Sequence, residues 1–516
     1  RNKSEAYNSI FLPGPTPIGH SMNLKSLLAK PFAHYIANKV KKEAQQAVQD
    51  QNTIFKALLK VAKNTQFGKD HGLDAVEDYQ GFKKAVPIRD YEQFVPYISM
   101  VKEGKHNILW KGLPIYFAKT SGTTSGAKYI PITKDSIDNH IDTARNALLC
   151  YMAETGNTGF ASGKLIFLSG SPILERVGGI ATGRLSGIVN HHVPAYLRSN
   201  QLPSFETNCI EDWEQKLDAI VAETVHQDMT LISGIPPWMQ MYFDKLEATT
   251  GKKIGELFPN FNVMVQGGVN FEPYKAKLFE SIGRKIDTVE LFPASEGFFA
   301  FQNSQQEPGL LLNTNSGIFF EFIPANEIFD ENPTRLCLEG VELGKNYALI
   351  INSNAGLWGY NIGDTVKFVS LDPYKIVVTG RIKHFISAFG EHVIAEEVER
   401  AMRAAMEAHP EAQVVEFTLA PQVNPRAGEL PYHEWLVEFD KEPTDLSAFK
   451  QALDDSMQQQ NMYYKDLIEG KILQPLVLRS LKKNAFIDYM KSQGKLGGQN
   501  KVPRLSNDRL IADKLA

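Results

Sequence analysis

The sequence predicts an α/β protein, with a large N-terminal α/β domain that opens with a helical extension and a smaller C-terminal α+β domain. Short apolar runs alternate with helical ones from about residue 164 onward, as in α/β layer architectures. Most of these runs end in Gly or Pro, as expected where ligand-binding loops leave the carboxyl ends of strands. The chain has 516 residues, which exceeds the usual limit for one core. We therefore expect at least two domains.

The chain is expected to begin with two amphipathic helices. Apolar residues recur at helical spacing over residues 24–63, first through Phe32, Tyr35 and Ile36. Residues 115–118 then predict a strand, and residues 129–132 predict a strand that returns beside it. The next segment predicts a helix capped by Thr133 and ending near Ala153.

Four apolar runs predict the strands that carry the binding loops, at residues 165–168, 229–232, 263–265 and 288–292. A hairpin over residues 366–378 then closes the large domain, which we place at residues 22–381. Residues 1–21 are interpreted as a flexible leader or a remnant of expression, with Met22 as a candidate native start.

Residues 382–516 are expected to form the small, mobile C-terminal domain. Its predicted elements are a helix over 394–407, strands near 413–419 and 434–439, a helix after Thr444, a strand over 472–479 and a helix over 482–492. Gly, Gln, Asn and Lys dominate residues 494–503, which predicts a mobile loop.

Composition and charge favour small-molecule ligands. A net charge of -4, without a block of consecutive Lys or Arg, argues against binding to nucleic acid or to an anionic membrane surface. The cysteines Cys150, Cys209 and Cys337 lie far apart without zinc spacing, which fits a reducing cytoplasm and three core positions. His191-His192 has no third metal ligand at useful spacing and is interpreted as two ordinary histidines. The oligomeric state is not predicted.

Residues 119–131 read K-T-S-G-T-T-S-G-A-K-Y-I-P and predict a phosphate-binding loop. Glycines allow backbone N–H groups to approach a phosphate, hydroxyls add donors, and a lysine adds positive charge. The loop is not a Walker A loop, because no Ser or Thr follows Lys128. The alternative is a polar hairpin turn. The expected phosphate contacts are Thr120, Ser121, Gly122, Thr123, Thr124, Ser125 and Lys128.

The loop resembles the phosphate-binding signature of the adenylate-forming superfamily, which includes acyl-CoA synthetases, adenylation domains and luciferases. Its continuation through Y-I-P resembles the acyl-acid amido synthetases named after the auxin-responsive Gretchen Hagen genes. The motif Q-G-G-V at residues 266–269 is similar to the family's strand end beside adenine, which implies that Gly267 and Gly268 contact ATP. The resemblance implies the architecture of adenylate-forming enzymes.

A second motif, F-P-A-S-E-G at residues 292–297, is similar to the family's aromatic-x-x-Ser/Thr-Glu sequence. The resemblance implies that Phe292 stacks on adenine, that Ser295 lies beside ATP and that Glu296 binds Mg²⁺. A carboxylate is a hard oxygen ligand that suits Mg²⁺ bridging nucleotide phosphates. Phe292-Pro293 stands where relatives commonly carry Tyr followed by Gly or Ala.

A third motif, G-Y-N-I-G-D at residues 359–364, resembles the superfamily's Tyr-x-x-Gly-Asp segment. The resemblance implies that Asp364 accepts hydrogen bonds from the ribose hydroxyls. In the G-R-I-K sequence that follows the hairpin, it implies that Arg381 contacts ribose or phosphate and that Lys383 lies at the domain hinge.

The tail sequence Q-N-K-V-P-R at residues 499–504 resembles the family's Lys-x-Pro-Arg ending. The resemblance implies that Lys501 reaches across the domain cleft and neutralises charge on the α-phosphate. A point charge on a long stem suits that task. Lys495 is the alternative candidate, because related enzymes carry a Gly-Lys pair at this place.

Together these patterns predict an ATP- and Mg²⁺-dependent ligase of the cytoplasm, with Lys501 and Glu296 as its catalytic residues. It would adenylate a carboxylic acid and then transfer the acyl group to an amine, expected to be an amino acid. The alternatives are an acyl-CoA ligase with CoA as acceptor and a nucleotide sensor without turnover. Pro236, Trp238 and Met239 are either walls of the acyl pocket or core residues.

Overall fold

The structure is a computed structural model in which part of the chain is described. The described residues are 24–123, 126–193, 198–268, 271–382, 385–386, 393–423, 425–426, 429–494, 502–506 and 509–516. The expected leader at residues 1–21 lies outside these ranges.

Helices open the chain, as predicted. They are α1 (Leu24–Gln45), α2 (Ala47–Ala62), α3 (Gln66–Asp70), α4 (Tyr79–Ala85) and α5 (Tyr91–Lys102). The buried face of α1 differs from the expected one, because Ala33 and Ile36 are buried whereas Phe32 and Tyr35 are 47% and 66% exposed. The helix packs through small side chains against a later helix, α6 (Ile137–Thr155).

A four-stranded sheet carries the expected hairpin. Strands β1 (Tyr116–Thr123) and β2 (Gly126–Ile132) pair in antiparallel fashion, and β1 also pairs in parallel with β5 (Ile180–Gly183), beyond which lies β4 (Glu175–Val177). Helix α6 follows this hairpin and begins later than predicted. Thr133 and Ser136 instead close a separate turn, in which each backbone N–H donates to the other residue's hydroxyl.

An eleven-stranded mixed sheet forms the centre of the large domain, in the order β12-β13-β14-β15-β11-β10-β9-β8-β7-β3-β6. The strands from β9 to β6 pair in parallel, which confirms the predicted α/β class. They are β3 (Lys164–Phe167), β6 (Gln201–Leu202), β7 (Met229–Gly234), β8 (Val263–Gly267) and β9 (Asp287–Ala294).

The other half of this sheet is antiparallel. It consists of β10 (Gly297–Phe301), β11 (Leu310–Leu312), β12 (Ile318–Pro324), β13 (Asn346–Ser353), β14 (Tyr360–Leu371) and β15 (Tyr374–Arg381). The helices that accompany the parallel half are α7 (Leu185–Asn190), α8 (Phe205–Asn208), α9 (Trp213–Thr224), α10 (Pro236–Thr250), α11 (Ile254–Leu257) and α12 (Glu272–Ile282).

The C-terminal part of the chain has its own core around a three-stranded sheet, β18-β19-β20. Its strands and helices are β16 (Phe385–Ile386), β17 (Val393–Ile394), α13 (Ala395–Ala408), β18 (Gln413–Gln422), β19 (Tyr432–Lys441), α14 (Leu446–Gln460), α15 (Met462–Glu469), β20 (Val477–Leu481), α16 (Ala485–Ser492) and α17 (Ala512–Leu515). The last strand begins later than predicted. Leu473 and Leu476, which belong to the predicted strand, lie in a loop whose side chains are buried in the core.

The cysteines are less uniformly buried than expected. Cys150 is buried, whereas Cys209 and Cys337 are intermediate, and all three thiols are free. Burial raises the pKa of Cys150 to about 12, so this thiol stays protonated and unreactive. Among the described helices, none is long and apolar enough to cross a membrane.

Candidate active site

A cavity of about 260 Å³ lies where the parallel strands end. Strands β3, β7 and β8 run side by side, and their last residues, together with β9, form one wall. Most of the lining is apolar and includes Phe167, Val189, Trp238, Leu291 and Phe298. A concave, mostly apolar site at the carboxyl ends of parallel strands is the usual place for a small ligand in this fold class.

Only one of the three residues proposed for the acyl pocket borders this cavity. Trp238 lines it and packs against Trp213, with ring centroids 4.9 Å apart. Pro236 and Met239 are buried and do not line it, which agrees with the alternative that they are core residues. All three lie in the first turn of α10, where a step of one residue turns a side chain by about 100°. Met239 therefore points into the core.

Two polar residues that the motif analysis did not single out as ligand contacts border the same cavity. His140 on α6 is 4% exposed, and Gln266 near the end of β8 is 2% exposed. Within the described part of the chain, neither His140 Nδ1 nor Gln266 Oε1 has a hydrogen-bond partner. Burial lowers the pKa of His140 to about 4, so its imidazole is neutral at physiological pH. The sequence holds one indication that His140 and Ala144 share a site. They lie one helical turn apart, which places both on the same face of α6, and both border the cavity.

The described part of the predicted phosphate loop lies in the two strands of the β1–β2 hairpin. Thr120 pairs with Lys128 and Thr123 pairs with Gly126. The hairpin is attached to α5, because the Tyr129 N–H donates to the Tyr91 hydroxyl at 2.8 Å. Thr124 and Ser125 lie outside the described residues, and the side chains of Ser121 and Thr123 are likewise not described. Phosphate binding by this hairpin stays a prediction.

The expected magnesium ligand, Glu296, lies in the tight turn between β9 and β10. Ser295 and Glu296 form this turn, because Ala294 pairs with Gly297. The turn follows directly on the cavity wall, since Pro293 and Phe298 pair across the same hairpin and both line the cavity. The turn that carries Glu296 therefore adjoins the cavity, although neither residue of the turn lines it.

Strand β14 connects that carboxylate to the predicted ribose site. The Tyr360 hydroxyl donates a hydrogen bond to Glu296 Oε1 at 3.2 Å. Asp364 lies further along β14, directly opposite Arg381 of β15. The structure therefore brings together the F-P-A-S-E-G motif with Glu296, the G-Y-N-I-G-D motif with Asp364 and the G-R-I-K motif with Arg381. The side chain of Arg381 is not described, and Lys383 lies outside the described residues.

The glycines of the Q-G-G-V motif have structural reasons to be glycine. A Cβ on Gly267 would approach the Leu291 carbonyl oxygen to 2.4 Å, which is too close. Gly268 has a φ of +82°, in the left-handed region that favours glycine. Gly267 borders the cavity, and contact of either glycine with ATP stays a prediction.

Phe292, the residue expected to stack on adenine, is mostly covered by protein. It is 6% exposed and makes an edge contact with Phe299, with centroids 5.2 Å apart. Its strand neighbours Leu291 and Pro293 line the cavity, and successive side chains of a strand point to opposite faces. Phe292 thus presents little surface for an adenine ring, and its stacking role stays a prediction.

The tail of the chain contacts both parts of the molecule through Arg504. Lys495 and Lys501 lie outside the described residues, but Arg504 is described and is 9% exposed. Its guanidinium forms ion pairs with Glu399 and Glu416. The Tyr274 hydroxyl of α12 accepts from Arg504 Nη2 at 3.0 Å and donates to Glu416 Oε2 at 2.8 Å.

Backbone hydrogen bonds hold the same segment against β18. The Leu419 N–H donates to the Arg504 carbonyl at 2.9 Å, and the Ser506 N–H donates to the Leu419 carbonyl at 2.9 Å. The Lys-x-Pro-Arg motif indicates a role for its lysine, and nothing in the motif predicts that its arginine lies at the centre of a buried network. Arg504 and Tyr274 are 230 positions apart in the chain, so no local signal links them.

The adjacent histidines at 191 and 192 make ordinary contacts, as expected. His191 Nε2 lies 2.8 Å from the Pro172 carbonyl oxygen, and His192 Nε2 lies 3.1 Å from the Tyr116 hydroxyl. Across the described ranges, no group of three or more His, Cys, Asp or Glu side chains is arranged to hold a metal ion.

Three domain families match the chain in order along its length. They are the GH3 family N-terminal domain at residues 36–202, the GH3 family central domain at residues 311–381 and the GH3 family C-terminal domain at residues 396–510. Together they cover more than half of the chain.

Curated relatives and solved structures agree with this match. The chain is 22% identical to the indole-3-acetic acid-amido synthetase GH3.3 of Arabidopsis thaliana, over 95% of this chain and 93% of the relative. It is 23% identical to the jasmonoyl-L-amino acid synthetase JAR4 of Nicotiana attenuata, over 64% of this chain and 66% of the relative.

Among solved structures, an acyl acid amido synthetase, AtGH3.15 in complex with 2,4-DB, superposes with a TM-score of 0.78 at 16% identity, covering 98% of this chain and 97% of that one. A 2-hydroxyisobutyryl-CoA ligase in the postadenylation state, in complex with 2-HIB-AMP, gives a TM-score of 0.54 at 12% identity, covering 92% and 90%. These likenesses confirm the predicted architecture of a large and a small domain.

Proposed function

Because this chain belongs to the GH3 family, we propose that it activates a carboxylic acid with ATP and then transfers the acyl group to an amine, an amino acid. The observation that carries this proposal is the position of Glu296. This carboxylate follows directly on the wall of an apolar cavity and is hydrogen-bonded to the strand that bears Asp364. Nucleotide and acid would thus meet at one rim.

The first half-reaction forms a mixed anhydride. A carboxylate oxygen of the acid attacks the α-phosphorus of ATP, pyrophosphate leaves, and acyl-AMP remains. The acid's body would occupy the cavity beside Trp238, with its carboxylate toward the β9–β10 turn. The β1–β2 hairpin, with Lys128, would bind the phosphates, and Asp364 would accept hydrogen bonds from the ribose.

Magnesium fits the residues at this rim. Mg²⁺ is usually held by one or two carboxylates together with substrate phosphates, and Glu296 supplies one carboxylate whose orientation Tyr360 fixes. When bound there, Mg²⁺ would neutralise charge on the phosphates. Arg381 would contact ribose or phosphate, and Lys501 would reach the α-phosphate from the tail.

In the second half-reaction the amine attacks the acyl carbon and AMP leaves. We place the large domain at residues 22–381 and the mobile domain at residues 382–516, with Lys383 as the hinge. Rotation of the small domain would withdraw Lys501 after adenylation and open a path for the amine. The ATP requirement and the three free cysteines fit a cytoplasmic enzyme.

The test is acid-dependent exchange of labelled pyrophosphate into ATP, run across aryl, indolyl, short aliphatic and long aliphatic acids. Exchange with one class would support adenylation and identify the acyl group. Folded protein that exchanges with none of these acids would refute the proposal.

A CoA ligase is the second candidate, because the fold is shared with the 2-hydroxyisobutyryl-CoA ligase. Product masses separate the two reactions when the active acid is supplied with CoA or with a pool of amino acids. A thioester without any amide would replace our assignment of the acceptor.

A further inference from the structure

An arginine lies between the β1–β2 hairpin and the cavity. Strands β1 and β5 run side by side, with Ala118 opposite Gly183, so the next residues of the two strands are Lys119 and Arg184. Lys119 begins the predicted phosphate loop, and Leu185, directly after Arg184, lines the cavity. The backbone at Arg184 therefore joins the two parts of the site.

The side chain of Arg184 lies against a segment of the cavity wall. A Cβ on Gly170 would approach Arg184 Cδ to 2.7 Å, so the stem of the arginine covers Gly170. Ser169, the residue before it, lines the cavity, and so does Ser186, whose hydroxyl accepts from the Gly170 N–H at 3.1 Å. Arg184 is exposed to solvent, yet the surrounding chain desolvates its guanidinium and lowers its pKa. It thus lies in an accessible recess beside the cavity.

The charge of Arg184 is not neutralised by the described part of the chain. Its guanidinium has neither an ion pair nor a hydrogen bond there, and the nearby Glu211 carboxylate influences its pKa without pairing with it. Lys216 of α9 adds a second cation that is 2% exposed, and its Nζ donates to the Ser169 and Asn208 carbonyl oxygens at 2.8 and 2.9 Å. Burial and the Arg184 charge lower the pKa of Lys216 to about 8, so it is mostly protonated at neutral pH. Two neighbouring cations without a paired carboxylate favour an anionic ligand.

The chemistry of the reaction indicates which anion this is. Lys119 is already paired, because its Nζ donates to Glu175 Oε1 at 2.7 Å, and Lys128 is expected to bind the phosphates. The acid loses its carboxylate charge when acyl-AMP forms. The carboxylate of the acceptor amino acid, in contrast, persists unchanged through the second half-reaction. Of these cations, Arg184 is the one left to recognise it.

We propose that Arg184 binds the α-carboxylate of the acceptor amino acid and so makes this protein prefer amino acids to amines that lack the carboxylate. This inference rests on the proposed function and adds a residue that recognises its second substrate. A guanidinium can hold a carboxylate through two parallel N–H···O bonds, which fix its direction as well as its position. The amine of an amino acid held in this way would lie beside the cavity that contains the acyl group.

The competing ligands of Arg184 are the nucleotide phosphates and the carboxylate of the acid. Either one would place the arginine in the first half-reaction, so that its loss would slow pyrophosphate exchange. Recognition of the acceptor acts only in the second half-reaction, and the two cases are therefore separable.

The experiment compares acceptors that share one side chain, namely the free amino acid, its primary amide and the amine without the carboxyl group. The masses and rates of the products give kcat/KM for each acceptor. We expect the wild type to prefer the free amino acid roughly 10- to 100-fold, because only this acceptor makes charge-assisted hydrogen bonds to the guanidinium. Use of the same acceptors with every variant cancels differences in amine basicity.

In Arg184→Met, the preference should fall to roughly threefold or less through a higher KM for the amino acid, with pyrophosphate exchange within about twofold of the wild type. Arg184→Lys keeps the charge without the forked geometry and should retain part of the preference. The matched control is Arg176→Met on the neighbouring strand β4. Arg176 Nη1 donates to the Gly179 carbonyl oxygen at 2.7 Å, and its loss should change neither preference nor exchange.

Each outcome decides one point. A wild-type protein that uses the amide as readily as the free amino acid refutes the inference, and this comparison needs no variant to fold. A folded Arg184→Met protein that keeps the preference, or loses exchange as strongly as transfer, refutes the assignment to Arg184.

Failure of the proposed function is recognised separately, because no acid would then support exchange. Calorimetry without ATP, with N-acyl amino acids and their amides as probes, still tests the site in that case. Tighter binding of the carboxylate form by the wild type than by Arg184→Met would support the site, and equal binding would refute it.

Discussion

The phenol of Tyr360 donates a hydrogen bond to Glu296 Oε1 at 3.2 Å, joining strand β14 to the turn between β9 and β10. Tyr360 is fully buried, and burial together with the nearby Glu296 carboxylate raises its pKa well above that of free tyrosine. The phenol therefore remains a donor throughout the physiological pH range. It holds the proposed magnesium ligand in one orientation beside the cavity.

Removal of this hydroxyl should slow adenylation without weakening acid binding. In Tyr360→Phe, Glu296 loses one hydrogen bond worth about 1 kcal/mol, so kcat for pyrophosphate exchange should fall roughly 5-fold with the KM for the acid unchanged. Tyr347→Phe is the matched control, since Tyr347 is equally buried on the next strand and accepts from the Glu342 backbone. Equal loss in both variants would contradict a role specific to the site.

The lysine of the tail should be needed for the first half-reaction only. Lys501→Ala should lower pyrophosphate exchange by roughly 100- to 1000-fold, because charge on the α-phosphate is no longer neutralised. Transfer of the acyl group from supplied acyl-AMP to an amino acid should continue. The comparison is Lys495→Ala, for which exchange should remain close to wild type. The reverse pattern would transfer the role to Lys495.

The buried arginine of the tail should matter for stability. Arg504→Ala removes the cation that pairs with the largely covered Glu399 and Glu416 carboxylates, so the free energy of unfolding should fall by about 3–5 kcal/mol. Arg400→Ala is the surface control, because Arg400 is 49% exposed in its pair with Glu396 and should contribute less than about 1 kcal/mol. Urea unfolding measures both, and similar losses would contradict a structural role for the Arg504 network.

Glu290 should make stability depend on pH. Burial raises the pKa of Glu290 to about 7 from 4.5, and the neighbouring Glu272 adds to the shift. The folded protein then binds more protons than the unfolded chain between these values. The stabilising contribution of protonated Glu290 is complete below about pH 4.5 and is lost as pH rises through about 7. The free energy of unfolding changes by up to about 3 kcal/mol over this range.

Glu290→Gln tests this dependence, because an amide does not titrate. Relative to the variant, the wild type should lose unfolding free energy between pH 5 and pH 8, which urea unfolding at both pH values would detect. A constant difference between the two proteins across this range would show that the carboxyl titrates normally.

The fold was predictable because its signals are local. Strand runs at residues 263–265 and 288–292 are apolar and bounded by Gly or Pro, and the structure has β8 and β9 there. Which face of a helix is buried was harder to predict. Apolar spacing in α1 placed Phe32 and Tyr35 in the core, whereas the small side chain of Ala33 lies at the contact with α6. Which side of a helix is buried depends on the surface it meets.

By itself, the sequence determined the α/β class, the order of the motifs and the kinds of side chain that each motif supplies. Tertiary structure decided which side chains meet. Trp238 borders the cavity while adjacent Met239 does not, because one step along a helix changes the direction of the side chain. His140 and Gln266 share one cavity because α6 packs against β9 and β10, and β9 pairs with the strand β8 that carries Gln266. Such meetings depend on packing between distant segments, which short-range sequence patterns do not encode.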